Sequence, residues 1–282
     1  MTDIARALPY PERPARRSLA AGLAVLAALA LTAVFAPLVA TVDPTNQNLL
    51  NTLAGPSWAH PLGTDHIGRD VLARILHGAP LSLGFALVSV GLGALGGLVL
   101  GLVAAERGGL LDAAIMRFAD LMLAFPGVLL ALLLAGFMGG GMGPLLAALL
   151  LTLWPQFARL SRAIALKTLA EPHVEASRLA GLSTAGILRR QVLPPVLRQT
   201  AVLAAFSVGS TILTISSLGF LGLGMQPPTP EWGAMITELL PYLYKAPLQL
   251  AAPCLCIFLT ILCFYLAAET LARQLDDIRD LP

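Results

Sequence analysis

Charged residues are scarce in this 282-residue chain: Asp, Glu, Lys and Arg make up 12% of it, against 57% hydrophobic residues, and the mean hydropathy is +0.79. A soluble globular protein carries about twice that share of charge. The chain has three cysteines, and all lie in one apolar run, at Cys254, Cys256 and Cys263. An odd number of buried thiols excludes a disulfide framework, and the lack of nearby His or carboxylate favours simple apolar packing.

The motifs of several enzyme classes are also lacking. The sequence contains no P-loop, no G-x-S-x-G and no H-E-x-x-H pattern, so we expect neither an ATPase site nor an enzyme active site, and no cofactor. Basic residues occur without an aromatic platform, which argues against nucleic-acid binding. The apolar runs carry almost no ionisable side chains. Ion-coupled secondary transporters and intramembrane enzymes place such groups at membrane depth, so both alternatives are disfavoured.

Long apolar runs predict an all-α polytopic membrane protein. Residues 19–42 form an uncharged run longer than the roughly 20 residues that cross a bilayer, and longer than a signal-peptide core. Residues 1–18 then form a polar N-terminal segment. Phe125-Pro126 should kink the third span, and glycines at 91, 93, 96, 97 and 101 indicate close helix packing. The six predicted spans are 19–42, 80–105, 114–138, 142–160, 199–224 and 246–268.

The distribution of Lys and Arg predicts the orientation. Fifteen lie in the N-terminal segment, the second and central loops and the tail, when Arg117 and Arg159 at the adjoining span ends are counted with the loops; three, Arg69, Arg74 and Lys245, lie on the other side. The positive-inside rule therefore places both termini and the central loop, residues 161–198, in the cytoplasm.

The first loop, residues 43–79, holds three of the four histidines. Residues 71, 72, 75 and 76 are apolar and share one helical face, so a short amphipathic helix is expected before the second span. His60, His66 and His77 lack the tight spacing typical of metal ligands. We interpret them as solvated or hydrogen-bonded and predict no metal site.

The central loop predicts two short helices. Glu171-Pro172 suits a helix start, and Gly181 suits its end. Ser183 can cap a second helix, which Pro194-Pro195 should stop. The first helix has a side without bulk, formed by Ala176, Ser177, Ala180 and Gly181. Another protein surface could approach that side closely.

This loop resembles the EAA loop of binding-protein-dependent ABC importer permeases. The resemblance rests on Glu175-Ala176-Ser177, Gly181 and Leu193-Pro194. The chain departs from the family pattern at Ser177, where the consensus has Ala, and at Gln191, often Ile. Longer blocks at 62–74, 123–126 and 220–236 are similar to the second permease subunit of the peptide/nickel family of these importers.

The resemblance implies a type I ABC importer permease fold: one transmembrane domain over 19–282, with six spans, in the bacterial inner membrane. It implies a heterodimer with a second permease, two cytoplasmic ATPase subunits and an external substrate-binding protein. Di- and oligopeptides are the expected substrates, with nickel or a nickel chelate as the alternative. The residues it assigns to ATPase coupling are Glu175, Ala176, Ser177, Gly181, Leu193 and Pro194.

Overall fold

The structure is a bundle of helices. It is a computed structural model that describes residues 42–139, 141–225 and 228–279. The α-helices are α1 (Val71–Arg107), α2 (Gly109–Leu123), α3 (Gly127–Phe137), α4 (Met142–Leu169), α5 (Pro172–Leu179), α6 (Thr184–Ile187), α7 (Leu193–Phe220), α8 (Trp232–Leu239) and α9 (Pro247–Arg279). A π-helical turn at Leu188–Val192 joins α6 to α7, and 3-10 turns lie at Leu49–Asn51 and Leu240–Tyr242.

Among the described residues, four helical stretches are long and apolar enough to cross a membrane: Val71–Arg107, Met142–Leu169, Thr184–Phe220 and Pro247–Ala272. The α2–α3 pair makes a fifth if it is counted as one span. The all-α membrane fold is thereby confirmed. The first predicted span, 19–42, lies outside the described residues except for Val42. The number of spans and their orientation stay predictions.

Helix α1 begins at an acidic cap and runs without interruption into the membrane. The Asp70 carboxylate accepts the N–H of Ala73 at 2.6 Å, which satisfies a donor of the first turn. The separate short helix predicted at residues 71–76 is wrong, because α1 continues through Pro80. A proline inside a helix costs about 3 kcal/mol. Core burial of Ala79 and Leu83 on either side offsets that cost.

Three glycines bring α1 into close contact with α4. A Cβ placed on Gly93 would lie 2.8 Å from the Leu153 Cβ, and one on Gly97 would lie 2.5 Å from the Phe157 Cβ. A Cβ on Gly101 would meet the Ala158 carbonyl oxygen at 2.4 Å. The predicted close packing is therefore confirmed for these three glycines, which repeat every fourth residue along one face. Gly91 and Gly96, by contrast, face open space.

The third predicted span is broken rather than gently kinked. Helices α2 and α3 meet at a bend of 91°, and Pro126 stands at the break, as the sequence predicted. Proline has no N–H to continue the helical ladder and restricts the residue before it. Helix α2 also begins at Gly109, earlier than the predicted boundary at 114.

The central loop is more helical than predicted. Helix α4 extends to Leu169, past the predicted end at 160. Pro194-Pro195 do not stop the second helix of the loop, because a π-helical turn precedes them and the chain stays helical from Thr184 to Phe220. The Leu193 N–H bonds the Leu188 carbonyl, five residues back. In the first turn of α7 the missing proline N–H groups cost little.

Two apolar clusters hold the bundle together. The larger one lies among α1, α3, α4, α7, α8 and α9. We call the smaller one the loop-base cluster; it lies under the central loop and consists of Leu98, Ala105, Ala165, Val174, Ile187, Val192 and Val196. Helix α9 continues to Arg279, so the segment predicted as a polar tail after 268 is helical there.

Candidate functional site

Helix α5 projects from the bundle while one of its side chains anchors it. Val174 is fully buried in the loop-base cluster. On the other side Glu175, Ala176 and Ala180 are exposed, and Leu179 is 85% exposed. The small side chains leave room for the close approach of another surface, and an exposed leucine is stabilised when such a contact removes it from water. We call the exposed residues Glu175, Ala176, Leu179, Ala180 and Gly181 the docking face.

A tight turn completes the docking face. Gly181 has φ of +85°, a left-handed conformation that glycine adopts without strain. The N–H of Leu182 bonds the Ser177 carbonyl at 3.1 Å. The Ser183 hydroxyl then accepts the Gly186 N–H at 3.2 Å and opens α6. The helix end at Gly181 and the cap at Ser183 are as the sequence predicted.

The other predicted coupling residues do not lie on this face. The Ser177 side chain turns inward, where its hydroxyl accepts a hydrogen bond from Gln191 Nε2 at 2.6 Å. Leu193 packs against the loop-base cluster, and Pro194 is half-buried in the first turn of α7. The structure therefore divides the predicted set into an exposed group (Glu175, Ala176, Gly181) and a supporting group (Ser177, Leu193, Pro194).

A buried polar network, separate from the docking face, joins the first loop to α8. Asp65 Oδ2 lies 2.6 Å from Arg69 Nε and 2.8 Å from Arg74 Nη1. The two guanidinium groups also reach Glu238 Oε2, at 2.5 and 2.6 Å. Arg74 and Asp65 are fully buried. Two positive and two negative charges thus neutralise one another, and they bind the loop to α1 and α8.

Hydrogen bonding sets the ionisation of Asp65. Burial alone would raise its pKa, but the Arg69 N–H, the Arg69 guanidinium and the Ile67 N–H all stabilise the carboxylate and hold the pKa below its ordinary value. The network therefore contains a charged Asp65 at neutral pH.

Two residues of the first loop and one of α8 could face one metal ion. Asp65, His66 and Glu238 each place a ligand-type atom within 4.8 Å of the others. Both carboxylates, however, already accept hydrogen bonds from Arg69 and Arg74, and those two positive charges would repel a cation. The arrangement is better explained as an ion-pair network.

The histidines have protein partners. His60 Nδ1 lies 2.7 Å from Asp70 Oδ2, and His77 Nδ1 lies 2.9 Å from the Ala73 carbonyl oxygen. The His66 ring stacks on Tyr242 with centroids 5.8 Å apart. The interpretation of these residues as hydrogen-bonded histidines is therefore confirmed for His60 and His77.

Helix α8 is locked against the end of α7 by a buried carboxylate. Glu231 is fully buried, and its oxygens accept the N–H groups of Gly233 and Ala234 at 2.8 Å each. Burial raises the pKa of Glu231, and these two hydrogen bonds only partly oppose it. A Cβ on Gly219 would lie 2.5 Å from Glu231 Oε2. Residues 220–236 contribute to the family resemblance in the sequence, but no sequence pattern predicted a structural role for this carboxylate.

A line of hydroxyl groups follows the accessible side of α7. Ser210 is exposed, and Thr214 and Ser217 lie on the same face. Each hydroxyl donates to a carbonyl of the preceding turn, as in Thr214 Oγ1 to Ser210 O at 3.0 Å. Three other hydroxyl residues of this helix, Ser207, Thr211 and Ser216, are buried. The part of α7 that carries Ser210, Thr214 and Ser217 is therefore mildly polar, with no charged residue from 199 to 220.

A separate cavity of about 840 Å³ lies among α1, α2, α3 and α4. Its walls are apolar and include Leu92, Phe118 and Trp154; the last two rings stack with centroids 5.6 Å apart. Such a cavity offers few polar partners for a hydrophilic solute.

Four long apolar helical stretches among the described residues define the class: a polytopic membrane protein. Residues 97–277 match the family described as binding-protein-dependent transport system inner membrane component. Residues 16–56 match the N-terminal transmembrane domain of oligopeptide transport permease C. The chain belongs to the family of binding-protein-dependent transport system inner membrane components. It is a multi-pass inner-membrane permease, as the sequence predicted, rather than an ion-coupled secondary transporter.

Similar curated proteins are transport permeases. The Di/tripeptide transport system permease protein DppC of Pseudomonas aeruginosa is 39% identical over 90% of this chain and 86% of its own length. The Glutathione transport system permease protein GsiD of Pectobacterium atrosepticum is 40% identical over 92% of this chain and 86% of its own. GsiD of Escherichia coli O157:H7 is 39% identical, over 88% and 82%.

Solved structures share the fold. A chain of the MetNI methionine ABC transporter in an inward-facing conformation (CY5 native crystal form) superposes with a TM-score of 0.57 at 18% identity, covering 72% of this chain and 96% of that one. A second crystal form, from a selenomethionine soak, gives a TM-score of 0.52 over 70% and 96%. At this identity the likeness shows the architecture alone.

Proposed function

We propose that this permease forms, together with a second homologous permease, the membrane path for di- and oligopeptides that an external binding protein delivers. The relatives at about 40% identity over nine-tenths of the chain carry this proposal. They are named for di- and tripeptides and for glutathione, which is itself a tripeptide. Those names give the nickel alternative no support.

The composition of α7 supports a path of low selectivity. The accessible hydroxyl groups of Ser210, Thr214 and Ser217 already bond to their own helix, and no charge lies among them. A selective polar site needs several aimed donors, acceptors or charges. The binding protein would therefore supply the selection, and this chain a tolerant wall.

Two cytoplasmic ATPase subunits would supply the energy, because the sequence contains no nucleotide-binding motif of its own. In this proposal the transmembrane domain spans 19–282 with six crossings and both termini in the cytoplasm. The central loop, residues 161–198, then faces the ATPases, and the docking face enters a cleft in one of them. The observations that support this are the small, exposed side chains of Ala176, Ala180 and Gly181 on an anchored helix, together with the exposed Leu179 between them.

A bulky residue at the tip of the docking face tests the proposal. Gly181→Trp should lower peptide uptake by the reconstituted complex roughly tenfold, since overpacking a close contact costs about 1–3 kcal/mol. The assay is uptake and ATP hydrolysis, measured with and without loaded binding protein. A Cβ at Gly181 meets nothing within 4 Å, so the first side-chain atom added there contacts no other part of the described chain.

The positive φ of Gly181 requires a matched control, because any side chain there is strained. Gly181→Ala places a Cβ in the same left-handed conformation, so it adds backbone strain without the bulk of a ring. Ala176→Trp adds bulk on a helical residue without that strain. Normal coupled uptake in both Trp variants would contradict docking, and loss in Gly181→Ala as severe as in Gly181→Trp would assign the effect to strain.

A further inference from the structure

The two positions that depart from the family pattern of the loop are bonded to each other. Gln191 Nε2 donates to Ser177 Oγ at 2.6 Å, and that hydroxyl donates onward to the His173 carbonyl at 2.9 Å. The donor and acceptor roles are thus consistent along the chain of bonds. We call the Ser177–Gln191 hydrogen bond the loop bridge. The residues are 14 positions apart in sequence, so the loop bridge is a tertiary contact.

The loop bridge connects two elements of different kinds. Ser177 lies on α5, one residue after the exposed Ala176 of the docking face. Gln191 lies in the π-helical turn at the base of α7. The other connection is apolar: Val174 of α5 and Val192 of the turn both lie in the loop-base cluster. The loop bridge is therefore the directional contact between the docking helix and the helix that carries the hydroxyl face.

The surroundings make the loop bridge sensitive to substitution. Gln191 Oε1 is buried and has no hydrogen-bond partner among the residues that the structure describes. Loss of the Ser177 hydroxyl would leave the Nε2 of the same buried amide unpaired as well. Buried polar groups without partners are costly, whereas exchange of both partners for apolar groups is close to neutral.

The π-helical turn makes the base of α7 an irregular point in an otherwise continuous helix. Such turns occur mostly as single turns inside α-helices and frequently at functional sites. Here the hydrogen bond from the Leu193 N–H to the Leu188 carbonyl runs over five residues. Gln191, and with it the loop bridge, lies at this irregular point.

We propose that Ser177 and Gln191 are positioning residues, through which displacement of α5 by the ATPase is transferred to the base of α7. The proposal rests on docking of the central loop, as proposed above. Without the loop bridge, α5 would still dock, but it would move against the apolar loop-base cluster without rotating the π-helical turn. ATP would then be hydrolysed with less transport.

Three variants in the complete reconstituted complex test it: Ser177→Ala, Gln191→Leu and the double variant. The quantity measured is peptide transported per ATP hydrolysed. Each single variant should lower this ratio roughly fivefold, the scale of one hydrogen bond, and the double variant should be no worse than the worse single one. Ser177→Thr, which retains the hydroxyl, should keep the ratio of the unmodified protein.

A purely structural role would give another result. A variant that only reduces the amount of folded complex lowers uptake and hydrolysis together and leaves their ratio unchanged. The role proposed for the loop bridge would be contradicted by an unchanged ratio of peptide transported to ATP hydrolysed in both single variants. Losses that add in the double variant would contradict it as well. Blocked uptake in Gly181→Trp alongside unchanged ratios would leave docking intact and reject the loop bridge alone. Normal uptake in both Trp variants would reject both.

Discussion

Single charged residues of this protein connect separate segments through ion pairs. Asp65 is the clearest case, since it pairs with two guanidinium groups while fully buried. Removal of one partner from a buried ion network leaves uncompensated charge and costs about 3–5 kcal/mol. The same network places the first loop, α1 and α8 in fixed relation.

Asp65→Asn should therefore destabilise the protein strongly at neutral pH. Because the folded-state pKa lies below the ordinary value of 3.8, the stabilisation from Asp65 is present above that value. It is lost as the pH falls through the lower folded-state pKa. Unfolding in detergent at several pH values should show a weaker acid dependence for the variant than for the unmodified protein.

The matched control is Asp120→Asn. Asp120 lies 3.4 Å from Arg159, but both side chains are more than half exposed, and such pairs contribute about 0–1 kcal/mol. Equal losses in the two variants would contradict the role assigned to burial.

Pairs of helices show how far sequence patterns predict contact. Glycines at 93, 97 and 101 lie on the α4 side of α1, whereas Gly91 and Gly96 do not. The glycine-rich composition predicted close packing, but only the partner helix determines which glycines are in contact.

Gly97→Ala should destabilise the bundle by about 1–3 kcal/mol, because the new Cβ would lie 2.5 Å from both the Phe157 Cβ and the Trp154 carbonyl oxygen. Thermal unfolding in detergent measures the effect. Gly96→Ala, one position along and facing open space, is the control; it should be neutral or slightly stabilising, since alanine favours the helix. The assigned packing would be refuted if the two variants behaved alike.

The helix boundaries show where local signals suffice. Glu171-Pro172, Gly181 and Ser183 act through their own backbone, so the start and end of α5 and the start of α6 were predictable. Pro194-Pro195 were misjudged because the π-helical turn before them has no recognised signature in the sequence. Pro80 failed as a boundary for a different reason: core burial around it outweighs its local cost. The Ser177–Gln191 contact needs a tertiary structure to be seen at all.

The molecule as a whole should present opposite ends to opposite compartments. Fifteen of the eighteen Lys and Arg residues lie on the side predicted to be cytoplasmic, and the positive-inside rule makes such an asymmetry decisive.

Single cysteines at Ser183 and Tyr244 should then label from opposite sides of the membrane. Ser183 is exposed in the central loop, and Tyr244 is 97% exposed in the loop before α9. A membrane-impermeant thiol reagent, applied to intact cells and to inverted vesicles, measures access. The background carries replacements of Cys254, Cys256 and Cys263. Labelling of both positions from the same side would refute the predicted topology.

The lipid around the subunit is constrained by the break between α2 and α3. The N–H groups of Gly127, Val128 and Leu129 open α3, and within the described part of the chain none of them meets an acceptor. All three residues are exposed. In hydrocarbon each bare N–H would cost several kcal/mol. At the depth where the predicted third span places this break, the three N–H groups would therefore need water or the carbonyls of a neighbouring chain rather than acyl tails.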